Sequence, residues 1–282
     1  MLLCYLQVTV TFSYKITKIN TTPLILYLNS ENMKLKNKVA IVTGASKGIG
    51  ASIAKYYAAE GAKVVVNYAT SKEGADKVVK AITDNGGTAI AVQGDVSKEA
   101  DITRLFEATR QAFGGLDVLV NNAGIYEYLP IEQVSTQSFH QQFNTNVLGS
   151  ILAIQAALQL FGEKGGNIIN ISSGASKLPM ATGSVYSATK AALDAITVAL
   201  SKELGAKNVR INSLLPGSVE TEGTHTSGVM GSDFEKILVA NTPLGRMGQP
   251  EDIAKVAVFL ASDDAAWITG ELLSASGGIY GF

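Results

Sequence analysis

From Val39 onward, short runs of Val, Ile and Leu recur at even spacing with helix-length patterns between them, and no long low-complexity linker breaks the series. The runs lie at 38–43, 62–68, 88–94, 117–121, 167–172, 209–215 and 271–275, and the helical patterns near 49–60, 72–84, 98–113, 132–161, 185–204 and 250–262. Many of the runs lack the in/out alternation of a half-solvated strand, as burial on both faces requires. Strands of that kind joined by helices form a parallel sheet, and right-handed crossovers wind the helices over both of its faces. The predicted fold is α/β: a single doubly wound Rossmann domain with a parallel sheet of about seven strands. No internal repeat and no second domain boundary is visible.

With 46 % apolar and 17 % charged residues among 282, the chain can bury a core of that size. Its 23 basic and 24 acidic residues nearly cancel, which leaves no basic face for nucleic acid or an anionic bilayer. Cys4 is the one cysteine. Internal disulfides and cysteine-built metal sites are thereby excluded, and a cytoplasmic location is expected. His140 and His225 are too far apart in sequence and context for a metal pair, so no metal is expected.

Residues 1–32 stand apart. Their apolar residues are interrupted by Gln7, Thr9, Thr11, Ser13 and Lys15, too often for a membrane span, and they lack the basic lead and cleavage motif of an export signal. From Met33 a short basic lead runs straight into a strand, which reads as a fresh start. The expectation is a functional domain over 33–282, preceded by a loose extension or a mis-assigned start.

The first strand runs into Thr43-Gly44-Ala45-Ser46-Lys47-Gly48-Ile49-Gly50 and then a helix. A tight turn aimed at a helix N-terminus presents free backbone N–H groups and the positive end of the helix dipole to a pyrophosphate, while glycines let the anion approach. The spacing is G-x-x-x-G-x-G, one residue longer at the front than the commoner dinucleotide fingerprint. Gly44, Ser46, Lys47, Gly48, Ile49 and Gly50 are candidate cofactor contacts. At the end of the second strand, where that pattern places a carboxylate for the adenosine ribose, stand Asn67 and Tyr68. The missing carboxylate, with Lys47 in the loop, favours NADP over NAD, either being possible.

Further along stand Gly94-Asp95-Val96 after the third strand, Asn121-Asn122-Ala123-Gly124 after the fourth, and Tyr186-Ser-Ala-Thr-Lys190 opening a helix. Together and in this order the motifs resemble the short-chain dehydrogenase/reductase family over essentially all of 37–282. The likeness is nearest to its 3-oxoacyl-carrier-protein reductases, glucose dehydrogenases and broad carbonyl reductases. Tyr-x-x-x-Lys also occurs at Tyr14–Lys18 and Tyr68–Lys72; only the third instance has the context.

Tyr186 and Lys190 sit at i and i+4, one turn apart on one helix face. A positive charge there favours the phenolate, and moving a phenol by roughly three pKa units takes about 4 kcal/mol. Ser173, which stands 13 residues before Tyr186 at a strand end, takes the position of the family's catalytic serine, with Ser172 the alternative. The resemblance also gives Asn146 the role of the asparagine that organises a water beside the lysine, with Asn144 the alternative. It further implies that Asp95 and Val96 flank the adenine. Asn122, Ala123 and Gly124, with Tyr186 and Lys190, line the nicotinamide side. Pro216, Gly217 and Val219 lie in the cofactor-binding loop that brings Thr221 to the carboxamide. Ser276-Gly277-Gly278 departs from the family's commoner Asp-Gly-Gly.

The glycine- and serine-rich segment 222–247 reads as a lid over the substrate. With Tyr126, Leu178, Pro179, Met180 and Val219 it offers mostly apolar or small side chains, suiting a hydrophobic ketone. The expected activity is NAD(P)H-dependent ketone reduction with Tyr186 as acid/base. Alternatives are a 3-oxoacyl-carrier-protein reductase, a glucose dehydrogenase and, in another class, a dinucleotide sensor without turnover. The long helices at 132–161 and 185–204, apolar beyond one stripe, lead to an expected homotetramer.

Overall fold

The computed structural model describes residues 33–279. Its seven strands are β1 (Val39–Val42), β2 (Lys63–Tyr68), β3 (Thr88–Gln93), β4 (Val118–Asn121), β5 (Gly166–Ile171), β6 (Val209–Pro216) and β7 (Leu272–Ala275). All pair in parallel, in the order β3-β2-β1-β4-β5-β6-β7. The helices are α1 (Gly48–Ala59), α2 (Lys72–Asp84), α3 (Glu99–Phe113), α4 (Thr136–Phe143), α5 (Gly149–Leu160), α6 (Ser184–Leu204), α7 (Glu222–Thr226), α8 (Asp233–Ala240) and α9 (Pro250–Ala261).

Successive strand residues point to opposite faces, and each face finds its own helices. Ala40 and Val42 of β1 join Ile53, Ala54 and Tyr57 of α1 and Ile253 and Ala257 of α9 in one core. Their neighbours Val39 and Ile41 join Ile102, Leu105 and Phe106 of α3 and Ala153, Ile154 and Ala157 of α5 in the other. Burial on both sides explains the unbroken apolar runs. Strand order turns outward in both directions from β1 and β4, so the loops after those two strands part at the carboxyl edge of the sheet and leave a crevice.

The expected helix over 132–161 is not one helix. A 3₁₀ turn at Ile131–Gln133 precedes α4, and a π turn at Asn144–Leu148 separates α4 from α5. One inserted π residue shifts the helix register without breaking the chain's helical course, so periodicity alone does not show the break. At the entry to the fold Leu35 is buried in the first core, its N–H donating to Glu60 O at 2.9 Å. The expectation for residues 1–32 lies outside the described residues. Among the described residues no helix is long and apolar enough to cross a membrane. Trp267, between α9 and β7, is 100 % exposed.

Candidate active site

The crevice is laced shut at its base by Thr43, which follows β1. Its hydroxyl accepts the N–H groups of Asn122 (2.9 Å) and Ala123 (3.0 Å) and donates to Val120 O. The Asn122 amide returns to Thr43 O (2.9 Å) and Gly44 O (3.1 Å). This close approach dictates the glycines. Gly44 has φ +61°, and a Cβ there would stand 2.8 Å from Ala123 Cα; a Cβ on Gly50 would stand 2.3 Å from Asn122 Nδ2.

The N-terminus of α1 opens into a cavity of about 410 Å³ that Ser46, Lys47, Gly48, Ile49, Asp95, Val96, Ala123 and Gly124 help to line. Lys47 at its N-cap supplies no side-chain cap, and the first turn holds no acid. The Gly48 N–H instead donates to Glu222 Oε2 of α7 at 2.9 Å. A cradle in which Gly44 and Gly50 leave no room for a Cβ, with a helix N–H that has drawn in a carboxylate, fits the pyrophosphate of a dinucleotide.

At the end of β2 the two expected residues part. Asn67 borders this cavity and is 1 % exposed. Oδ1 accepts the Gly44 N–H (3.2 Å), and Nδ2 donates to Val92 O (3.3 Å) and Gly94 O (3.0 Å). It shapes the glycine loop from the cavity's border. Tyr68 points to the opposite face, into the first core, and is absent from the cavity wall, where Ala69, Thr70 and Ser71 stand instead.

A second, larger cavity of about 750 Å³ adjoins the first, and Ile49, Asn122, Gly124, Tyr126 and Thr221 line both. Ser173, Tyr186 and Lys190 meet on its wall, with Pro216, Gly217 and Val219 of the loop after β6. Ser173 caps the 3₁₀ turn after β5, its Oγ accepting the Ala175 N–H at 3.1 Å. Ser172 also borders the cavity, but it is buried and its hydroxyl donates to Lys190 O at 3.3 Å. Lys190, only 5 % exposed, donates from Nζ to Ile171 O at 2.8 Å. That ammonium lies 5.8 Å from the centroid of the Tyr186 ring. Burial lowers the Lys190 pKa to about 8, and Asp194, one turn further along α6, opposes the shift.

Asn146 sits in the π turn and is buried, whereas Asn144 is exposed. Its Oδ1 accepts the Ile125 N–H and its Nδ2 donates to Ile125 O, both at 2.8 Å. A further bond joins Nδ2 to Thr189 Oγ1 at 3.0 Å. Asn146 therefore clamps the strand-like segment after β4 to the tyrosine–lysine helix. Of the residues expected on the substrate side, Tyr126, Met180 and Val219 line the cavity; Leu178 and Pro179 do not. Val229, Phe234 and Leu238 bring the lid into the wall. Tyr128 also lines it and was missed. Its signal is the spacing Tyr126-Glu127-Tyr128, since extended chain turns alternate side chains to one side. His225 binds Glu220 (Nε2–Oε1 3.0 Å), and the described residues hold no cluster of metal-binding side chains.

Comparison with known proteins accounts for this arrangement. The family model described as enoyl-(acyl carrier protein) reductase matches residues 44–280. An uncharacterized oxidoreductase of Methylorubrum extorquens is 59 % identical over 246 residues, 87 % of this chain and 99 % of its own. Versicolorin reductase of Emericella nidulans is 36 % identical over 261 residues, 89 % of this chain and 99 % of that one. The crystal structure of an angucycline C-6 ketoreductase with bound NADP superposes with a TM-score of 0.82 at 35 % identity, covering 88 % of this chain and 97 % of the other. Since these matches run through the glycine loop, the serine strand and the tyrosine–lysine helix alike, the chain belongs to the short-chain dehydrogenase/reductase family of oxidoreductases.

Proposed function

We propose that the protein reduces a neutral ketone to a secondary alcohol, drawing on NADPH in preference to NADH, with Tyr186 as the acid that protonates the carbonyl oxygen. One observation carries this reading: among the described residues lining the larger cavity, Lys190 is the only charged side chain. Its ammonium is held inward on Ile171 O. A carboxylate or phosphate on the substrate finds no other cation there, and Met180, Val229, Phe234 and Leu238 give part of the wall to apolar surface.

The chain's own groups divide the work. Because the Ser173 oxygen already accepts the Ala175 N–H, its proton is left for donation to the carbonyl oxygen as charge develops there. Lys190 brings positive charge next to the Tyr186 ring and so favours transfer of the phenolic proton. Asn146 and Lys190 Nζ both overhang Gly124, where a Cβ would lie 3.4 Å from Asn146 Oδ1 and 3.5 Å from Nζ. That space suits a water that returns protons from solvent. The dinucleotide, when bound, supplies the hydride. Its preferred form is argued from exposed Lys47 and from Ser46, Thr70 and Ser71 on the smaller cavity's wall, where a carboxylate would repel a 2′-phosphate. The versicolorin reductase and the NADP-bound angucycline ketoreductase act on or carry groups consistent with this reading by their names.

The test is Tyr186→Phe, assayed with a ketone panel and both cofactors. The kcat should fall by roughly a hundredfold or more while NADPH still binds. Near-normal turnover in the variant would remove Tyr186 from the mechanism, and a native preference for NADH would reverse the cofactor assignment.

A further inference from the structure

Two tyrosines that no part of the hydride chemistry requires stand beside the third. The ring centroids of Tyr126 and Tyr128 are 5.8 Å apart, and they lie 6.1 and 6.0 Å from that of Tyr186. The three rings meet at 48° to 71°, so none stacks on another. Tyr126 is 48 % and Tyr128 43 % exposed, and both border the larger cavity.

The segment that carries them is fastened at several points. Ile125 is gripped on both backbone groups by Asn146. The side chain of Glu127 turns the other way and accepts the Ser138 hydroxyl of α4. Leu129 N–H donates to Thr182 O at 2.8 Å, just ahead of α6. Gly183 leaves room for Tyr128, since a Cβ there would come within 3.1 Å of the ring. The two rings are thus presented by a fixed backbone, with their surface turned to the cavity and not to the core.

Resting on the ketone reading above, we infer that Tyr126 and Tyr128 form an aromatic slot leading to Tyr186, and that the substrate is a flat ketone whose carbonyl is borne on or fused to an aromatic ring. Half-exposed rings held at an angle to one another gain most from a ligand that offers them its own π-face or edge. Phe234 and Met180 extend the same preference along the wall, Met because its thioether contacts aromatic rings favourably. The absence of charge from the lining, Lys190 apart, agrees with a neutral ring system.

The experiment compares 2-tetralone, which carries a fused aromatic ring, with 2-decalone, its saturated counterpart, in the native protein and in Tyr128→Leu, Tyr126→Leu and the matching Phe variants. In the native protein kcat/KM should favour 2-tetralone by roughly tenfold, and each Leu variant should lose roughly three- to tenfold of that preference, mainly through KM. The Phe variants should keep it. Because the preference is a ratio within one sample, partial misfolding does not alter it. Binding of 2-naphthol, followed by its own fluorescence with NADP present, reads the slot without turnover and should weaken in the Leu variants only. A ratio near one in the native protein, or a preference and 2-naphthol affinity that survive both Leu substitutions, overturns the slot. Tight, Leu-sensitive 2-naphthol binding with no reduction of either ketone would support the slot and overturn the ketone reading instead.

Discussion

In the mechanism proposed here, Lys190 sets the pH range of the site. Its pKa lies at about 8, below the ordinary 10.5, because burial penalises the charged form, and Asp194 raises it part of the way back. Activity that needs the ammonium should therefore fall as pH climbs through about 8. Asp194→Asn removes the opposing charge and should move that alkaline limb of kcat to lower pH, whereas Asp194→Glu should leave it close to native; a limb that does not move in the Asn variant would free Asp194 of this part. The same shift has a sign for stability. The unfolded lysine holds its proton up to about 10.5 and the folded one only to about 8, so unfolding takes up protons between them and stability rises with pH across that window. Below it the buried charge costs about 3 kcal/mol. At this scale the grouping of Ser173, Tyr186 and Lys190 on one cavity wall was legible because their spacing is local: Tyr186 and Lys190 are one helical turn apart, and Ser173 closely follows a strand. The inward turn of Tyr68 was hidden because sequence shows which residues end β2 but not which face each side chain takes, nor that Gly44 and Gly94 engage the Asn67 amide.

Among the elements, α7 joins the two cavities. Thr221 and Thr224 cap it reciprocally, which fixes its first turn and sends Glu222 to the Gly48 N–H at 2.9 Å. That carboxylate takes a donor at the helix end where a pyrophosphate would bind, and it must give way or repel. Glu222→Gln should tighten NADP binding by roughly two- to fivefold, measured by calorimetric titration; unchanged or weaker binding would show that the contact does not compete. Nothing local in the sequence ties Glu222 to a loop so far away, and the contact exists only because the fold returns the lid to the first βα turn. The π turn at Asn144–Leu148 was hidden for a related reason. It carries the chain from α4 into α5 without a loop while turning Asn146 inward to hold Ile125.

For the whole molecule, the sheet was legible because a layer covered on both faces writes itself as unbroken apolar runs, and crossover handedness then limits the strand order. The polar residues inside those strands were not. Asn121, Asn170 and Asn212 lie within the expected strand runs without any local reason for being polar; Asn121 Nδ2 binds Asn170 Oδ1 at 2.9 Å, Asn170 Nδ2 binds Thr197 Oγ1 at 2.9 Å, and Asn212 Nδ2 binds Ile268 O at 3.0 Å. Each is satisfied only by a partner that tertiary structure supplies. Assembly is the remaining expectation at this scale: a homotetramer should appear in sedimentation velocity, and a mass that stays monomeric at every concentration would overturn it. The one tryptophan in the chain, Trp267, turns this into an optical question as well. An indole wholly in water emits at long wavelength and is open to collision with iodide. Trp267 does not line either cavity, so its emission is a native, label-free gauge of what covers the segment between α9 and β7: blue-shifted and shielded from iodide where a second copy packs there, red and quenchable where solvent does.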